Sequence, residues 1–161
     1  MKYDFIIVGS GIIGLTLAYK LKKKFNNSKI LILEKEKDSI QHGSGRNSGV
    51  IHSGIYYEPT SLRATLGVQG GRELKEYIKA KRLWIDECGK ILVPTSQNSY
   101  ENTEQLYARG IENGVVIKKL SGEQIANLEP NINNKYNIGL HVPFTSIADP
   151  KEVSKSLIGD L

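Results

Sequence analysis

The 161-residue sequence predicts an α/β fold that opens on a parallel strand–helix–strand unit, and three observations predict it. A short run rich in β-branched and aromatic residues, Tyr3 to Val8, stops at Gly9. Residues of helical periodicity follow from Ile12 to Phe25, and a second apolar run occupies Lys29 to Leu33. Parallel neighbours need a crossover of about this length, whereas antiparallel ones would need only a tight turn.

Each element has its own signal. The first helix repeats Ile12, Ile13, Leu15, Leu17, Ala18, Leu21 and Phe25, with Lys20, Lys22, Lys23 and Lys24 mostly toward the other face and Asn26, Asn27 and Ser28 as its turn. Lys35 to Gly49 carries three glycines and little apolar periodicity, and reads as a loop. Ser61 to Arg82 reads as a helix, although Gly67, Gly70 and Gly71 weaken it; close packing against a cofactor or strand would explain them. Lys90 to Val93, Val115 to Ile117 and Ile138 to Val142 read as strands. Asn98 with Glu101 reads as a capping pair for a helix ending near Glu112, and Ser121 with Gln124 as another before a short helix closed by Pro130. Asp149, Pro150 and Glu152 mark the start of a last helix. The division expected is 1–84 as the N-terminal part of a cofactor-binding domain, 85–147 as part of an α+β substrate domain, and 148–161 as a helix returning to the first.

Composition narrows the class. With 39% hydrophobic and 24% charged residues the chain is of ordinary globular type, which excludes collagen, coiled coil and a disordered tail. Lys and Arg number 22 against 17 Asp and Glu, but the only run, at the end of the first helix, is a solvated terminus that suits the helix dipole, so no nucleic-acid partner is expected. The single Cys88 excludes an internal disulfide and a cysteine-rich metal cluster, suits a reducing compartment, and reads as structural. The apolar stretch from Phe5 to Tyr19 is too short and too interrupted to span a bilayer, so a cytoplasmic protein without a targeting segment is expected. No metal site is expected. Trp84 reads as a buried anchor between domains.

Gly9, Gly11 and Gly14 form G-x-G-x-x-G between the first strand and its helix, the Rossmann-like arrangement in which a helix N-terminus meets a pyrophosphate. Glu34 ends the second strand 20 residues after Gly14, where a carboxylate accepts from ribose hydroxyls and repels a 2′-phosphate. An adenine dinucleotide follows, with FAD and NAD undistinguished.

Ser44 to Tyr57 reads SGRNSGVIHSGIYY, followed by Pro59, Ser61, Leu62, Arg63 and Ala64, then CGK at Cys88 to Lys90 and LEPNI at Leu128 to Ile132. In these strings the chain resembles the L-2-hydroxyglutarate dehydrogenase/oxidase family, within the FAD-dependent oxidoreductases related to D-amino-acid oxidase. The resemblance covers nearly the whole chain, although the family's chains are longer. Gly67 stands where a cysteine is usual, Gly43 and Ser44 replace Gln-Thr, and Asp149-Pro150 replaces Asp-Tyr.

The resemblance implies FAD as cofactor and a small 2-hydroxy acid as substrate. Oxidation of L-2-hydroxyglutarate to 2-oxoglutarate is the leading reading, with electrons passing to oxygen or to a membrane quinone through peripheral contact at the inner face. Gly9, Gly11, Ile13, Gly14, Glu34, Lys35, Ser44, Asn47, Ser48 and Val50 would face the cofactor. His52 would face the isoalloxazine and substrate as base or electrostatic partner, against the alternative of a structural histidine. Arg46 would meet the substrate carboxylate or a flavin phosphate, against the alternative of a surface salt bridge. Tyr57, with Tyr56, would line the substrate entrance, one of the two facing the core. Two other readings stand beside this one: a related flavoprotein acting on glycerol 3-phosphate or an amino acid, and a catalytically incomplete FAD-binding subunit that needs a complementary C-terminal chain.

Overall fold

A computed structural model describes residues 2–161. In chain order these form β1 (Phe5–Val8), α1 (Ile12–Lys24), β2 (Ile30–Leu33), a single 3-10 turn (Gly43–Gly45), β3 (Val50–Ile51), α2 (Leu62–Ala80), β4 (Ile85–Asp86), β5 (Lys90–Leu92), α3 (Gln97–Glu101), α4 (Thr103–Glu112), β6 (Lys118–Ser121), α5 (Gly122–Leu128), β7 (Ile138–Val142), β8 (Ser146–Ala148) and α6 (Pro150–Gly159). They gather into two compact units. One holds the residues up to Gly49 with Ala80–Trp84 and Ala148–Leu161; the other holds Val50–Lys79 and Ile85–Ile147.

In the first unit β1 and β2 pair in parallel, Phe5 opposite Ile30 through Val8 opposite Leu33, as the strand–helix–strand pattern requires. Lys22, Lys23 and Lys24 occupy the last turn of α1, where their charge complements the helix dipole. Leu15 and Ala18 of α1 are buried, and α6 packs on α1 with Val153 and Leu157 buried. Asp149 caps α6, its Oδ1 accepting from the N–H groups of Lys151 at 2.7 Å and Glu152 at 3.3 Å, while Pro150 supplies a first position that lacks the N–H the helix cannot use.

In the second unit β7 is the centre of an antiparallel sheet in the order β5-β7-β6, with Lys90 opposite Val142 and Lys118 opposite His141. Ile55, Val115, Ile117, Leu140 and Val142 form its core, with Val68, Leu92, Leu106 and Tyr107 packed against them. Burying each of the larger of these side chains contributes about 1.5–3 kcal/mol. A smaller sheet runs β3-β8-β4. One of the helix glycines finds its reason here: a Cβ at Gly71 would lie 3.3 Å from the His52 carbonyl oxygen and 3.6 Å from Ile51 Cγ2, so α2 passes close over the strand, whereas Gly70 meets nothing within 4 Å.

Several expectations need correction. The helix before Glu112 is capped by Ser96, whose hydroxyl accepts from Ser99 N, and it breaks at Asn102 into α3 and α4; Asn98 lies inside α3. Val115 to Ile117 is not a strand. Its alternating burial is that of any extended segment on a core, and the free edge of β7 is taken instead by Lys118–Ser121. Trp84 is 55% exposed rather than a buried anchor, and Cys88, read as structural, is also exposed. The two-residue strands β3 and β4 are too short to have a period, and so left no signal in the sequence. Segment 50–79 groups with 85–147 because β3 pairs with β8 and α2 lies over β3.

Candidate functional site

The turn between β1 and α1 is shaped by two glycines. Gly9 has φ +99, a conformation that L side chains rarely adopt. Gly14 sits against it so closely that a Cβ there would lie 2.0 Å from the Gly9 carbonyl oxygen. Gly11 caps α1 without any side-chain hydrogen bond, which leaves the first N–H groups of the helix for other acceptors; that of Ile12 goes to Ser44 Oγ at 3.0 Å. Gly9, Gly11, Ile13, Gly14 and Ser44, with Ile6, Ile7, Val8 and Leu17, line an open cleft of about 450 Å³. Free N–H donors at a helix start, a backbone without side chains over it and apolar walls fit a dinucleotide pyrophosphate.

Glu34 leaves β2 toward this turn. Its Oε2 accepts from Ser10 N and Ser10 Oγ, both at 2.8 Å, and its Oε1 accepts from Glu36 N at 3.0 Å. The Ser10 N–H, then the Glu36 N–H, then the Ser10 hydroxyl hold its pKa at about 2, below the ordinary 4.5. Because the folded value is the lower one, the contribution to stability is complete above pH 4.5 and is lost as the pH falls toward 2. Thermal unfolding of wild type and Glu34→Gln between pH 6 and 2 tests this. The gap between their midpoints should narrow steadily below about pH 4.5; a constant gap would contradict it.

The loop after β2 does two jobs with one turn. Ser44 faces the glycine cleft, whereas Gly45 and Arg46 line a different cavity of about 710 Å³ together with Lys37, Asp38, Lys151 and Lys155. The Arg46 side chain forms no hydrogen bond or ion pair to a described residue. Asn47 braces the turn: its amide donates to the carbonyls of Gly43 at 3.2 Å and Ser44 at 2.9 Å, and its oxygen accepts from Gly49 N at 2.8 Å. Ser48 is exposed beside it, and Val50 pairs with Ile147 as the first residue of β3. Lys35 is exposed, 3.6 Å from Glu36.

His52, directly after β3, belongs to the second unit. It is exposed, and its ring forms no hydrogen bond to a described residue, so it is not a satisfied structural histidine. Two cavities meet it. The larger, about 320 Å³, is mostly apolar, lined by Ile51, Val68, Val115 and Phe144 among others, with Arg72 and Lys75 at its border. Both cations are engaged, Arg72 on the Gly114 carbonyl and Lys75 on Glu87 and the Phe144 carbonyl. The smaller cavity, about 20 Å³, is lined by His52, Ser53, Tyr56, Tyr57, Lys90 and Thr145 with the backbone between them.

The two tyrosines part as adjacent positions should. The ring of Tyr57 turns to α2, where a Cβ on Gly67 would meet it at 3.2 Å, so the small residue at 67 makes room for it. Tyr56 turns outward, 48% exposed, and its phenol accepts from Lys90 Nζ at 3.0 Å. Lys90, to which the sequence assigns no role, lines the same cavity as His52. It closes the CGK string at Cys88 to Lys90.

The family model for FAD dependent oxidoreductases matches residues 4–161. The chain belongs to the FAD dependent oxidoreductase family. Within that family it is 47% identical to the mitochondrial L-2-hydroxyglutarate dehydrogenase of Dictyostelium discoideum, over 99% of this chain and 36% of that protein. It is 40% identical to the mitochondrial enzyme of that name from Homo sapiens, over 98% and 34%, and 37% identical to L-2-hydroxyglutarate dehydrogenase of Escherichia coli K12, over 96% and 36%. The chain thus spans about a third of the length of these curated relatives.

Among solved structures it is similar to the dithionite-reduced L-alpha-glycerophosphate oxidase of Mycoplasma pneumoniae with FAD bound, with TM-score 0.86 and 34% identity, covering 98% of this chain and 42% of that one. Glycine oxidase of Geobacillus kaustophilus shares the fold, with TM-score 0.81 at 18% identity over 98% of this chain and 44% of that one. FAD is accordingly the dinucleotide of this FAD dependent oxidoreductase chain. Among the described residues no helix is long and apolar enough to cross a membrane, and no three His, Cys, Asp or Glu side chains gather as a metal site; His42 pairs with Glu36 alone, at 2.8 Å.

Proposed function

We propose that this chain serves an FAD-dependent oxidation of a 2-hydroxy acid, L-2-hydroxyglutarate to 2-oxoglutarate. The observation that carries the reading is a nucleotide cleft of the family's pattern together with an unengaged imidazole at His52, in a chain up to 47% identical to proteins named for that reaction. The helix-start N–H groups beyond Gly11 hold the pyrophosphate, Ser44 adds a hydroxyl, and the remaining acceptor capacity of Glu34 takes a ribose hydroxyl. Bound FAD supplies the acceptor for the hydride that leaves C2 of the substrate. His52 accepts the proton from the C2 hydroxyl as that hydride leaves, which is why an imidazole with no competing hydrogen bond suits the position. Asn47 and Ser48 act on the cofactor through the shape of the loop, and Lys35 and Val50 at its borders. Tyr57 supports the entrance from its packed position, and Arg46 awaits an anion, a phosphate or a carboxylate. Oxygen or a membrane quinone then takes the electrons, the latter reached from the cytoplasm by peripheral contact.

One feature favours a second reading. Ile6, Val8 and Ile13 are 61%, 84% and 80% exposed around a parallel sheet of only two strands. Apolar surface and open strand edges of this kind call for cover, which supports a cofactor-binding part that works with a complementary chain.

The visible spectrum separates the two. After addition of FAD and desalting, the chain should retain flavin absorbance, and anaerobic L-2-hydroxyglutarate should bleach it. Retention without bleaching would favour the second reading, and bleaching only by glycerol 3-phosphate or an amino acid would overturn the substrate.

A further inference from the structure

We propose that Lys90 binds the substrate carboxylate next to the carbon whose hydroxyl His52 deprotonates, with the Tyr56 phenol holding its ammonium in place. This rests on the 2-hydroxy acid reading above. Lys90 opens β5, where pairing with Val142 of β7 fixes its backbone, and the preceding Gly89 N–H donates to the Thr145 carbonyl at 3.0 Å. These bonds bring Lys90 and Thr145 to the wall of the small cavity that His52 also lines. The ammonium donates to Tyr56 Oη at 3.0 Å and lies 4.6 Å from the centroid of that ring.

Two polar groups there lack what they need. Lys75 and Lys79 share Glu87 and Lys119 has Glu104, but no carboxylate among the described residues pairs with Lys90, which is half-buried. Thr145 is 4% exposed, and its hydroxyl is buried without a hydrogen-bond partner. An unpaired cation and an orphaned hydroxyl on one wall call for an acceptor, and an anionic oxygen satisfies both. The cavity of about 20 Å³ sets the size of what enters: room for about one oxygen or water, not a whole substrate. A carboxylate end fits, and in a 2-hydroxy acid the carboxylate adjacent to the hydroxyl carbon lies within reach of the same wall as the imidazole.

The test is calorimetric titration of the FAD-loaded protein with 2-oxoglutarate, for wild type, Lys90→Met, Lys90→Gln and Lys90→Arg. Loss of a hydrogen bond to a charged group corresponds to about 10- to 100-fold in affinity. Both neutral variants should weaken binding by that factor, and Arg, which keeps the charge, should stay within about threefold of wild type. If Met unfolds the protein, Gln carries the comparison. Neutral variants that bind like wild type overturn the assignment, as does a wild type that binds no 2-oxoglutarate. Turnover of L-2-hydroxyglutarate by wild type is read separately: binding that depends on Lys90 without turnover would fault the reaction and not the residue. Turnover with an unchanged KM in Lys90→Met would fault the residue alone.

Discussion

Gly14→Ala leaves the protein without flavin after desalting and lowers its thermal midpoint by about 6–12 °C. The added Cβ would stand 2.0 Å from the Gly9 carbonyl oxygen and 3.2 Å from the carbonyl carbon, both backbone atoms that no side-chain rotation can move. Relief requires α1 to shift away from the end of β1, and that shift spoils the helix start the pyrophosphate needs. Overpacking against side chains typically costs about 1–3 kcal/mol, so a clash with fixed backbone belongs at or above the upper end. At about 2–4 °C per kcal/mol for a chain of this size, the midpoint shift follows. Gly43→Ala is the matched control. Nothing lies within 4 Å of its Cβ, and flavin retention and midpoint should both stay at wild-type values. Flavin retained by Gly14→Ala at the wild-type level would mean that the turn is not the cofactor's seat.

His52→Ala lowers turnover of L-2-hydroxyglutarate by about 10²- to 10⁴-fold, the usual contribution of a positioned general base. Two other quantities should hold still. In this reading the helix-start N–H groups and Glu34, not His52, hold the pyrophosphate and ribose, so flavin absorbance after desalting should match wild type. It is exposed and forms no hydrogen bond to a described residue, so the thermal midpoint should move by no more than a degree or two. Added imidazole should recover part of the rate in the alanine variant, because a small base can then occupy the vacated space. A variant that keeps its rate, or that loses rate only together with flavin, would remove His52 from the chemistry.

The contrast between these residues shows what kind of information each carries. Gly9, Gly14 and Glu34 were legible because the turn is local: the residues lie within one strand–helix–strand unit, and their spacing is set by helix and strand geometry alone. The Ser121–Gln124 capping box and the Asp149–Pro150 helix start were legible for the same reason. The cap at Ser96 was missed because Asn98 and Glu101 offer a similar pattern two residues later, and only the side-chain oxygen that meets an N–H decides between them. Lys90 stayed without a role because its partner is 34 residues away in sequence and across the fold.

By itself the sequence determined the parallel β1–α1–β2 unit, the glycine turn, the acid that faces it and, through the SGRNSGVIHSGIYY string, the family. These depend on periodicity and short-range spacing, which backbone geometry imposes on any chain. Only the tertiary structure decided that Lys90 meets the Tyr56 phenol on a cavity that His52 also lines, which of two adjacent tyrosines presents its phenol, and that Val115 to Ile117 fills a core without joining a sheet. Those outcomes turn on which distant segments compete for the same edge, hydroxyl or carbonyl, and such competition is settled by packing in three dimensions.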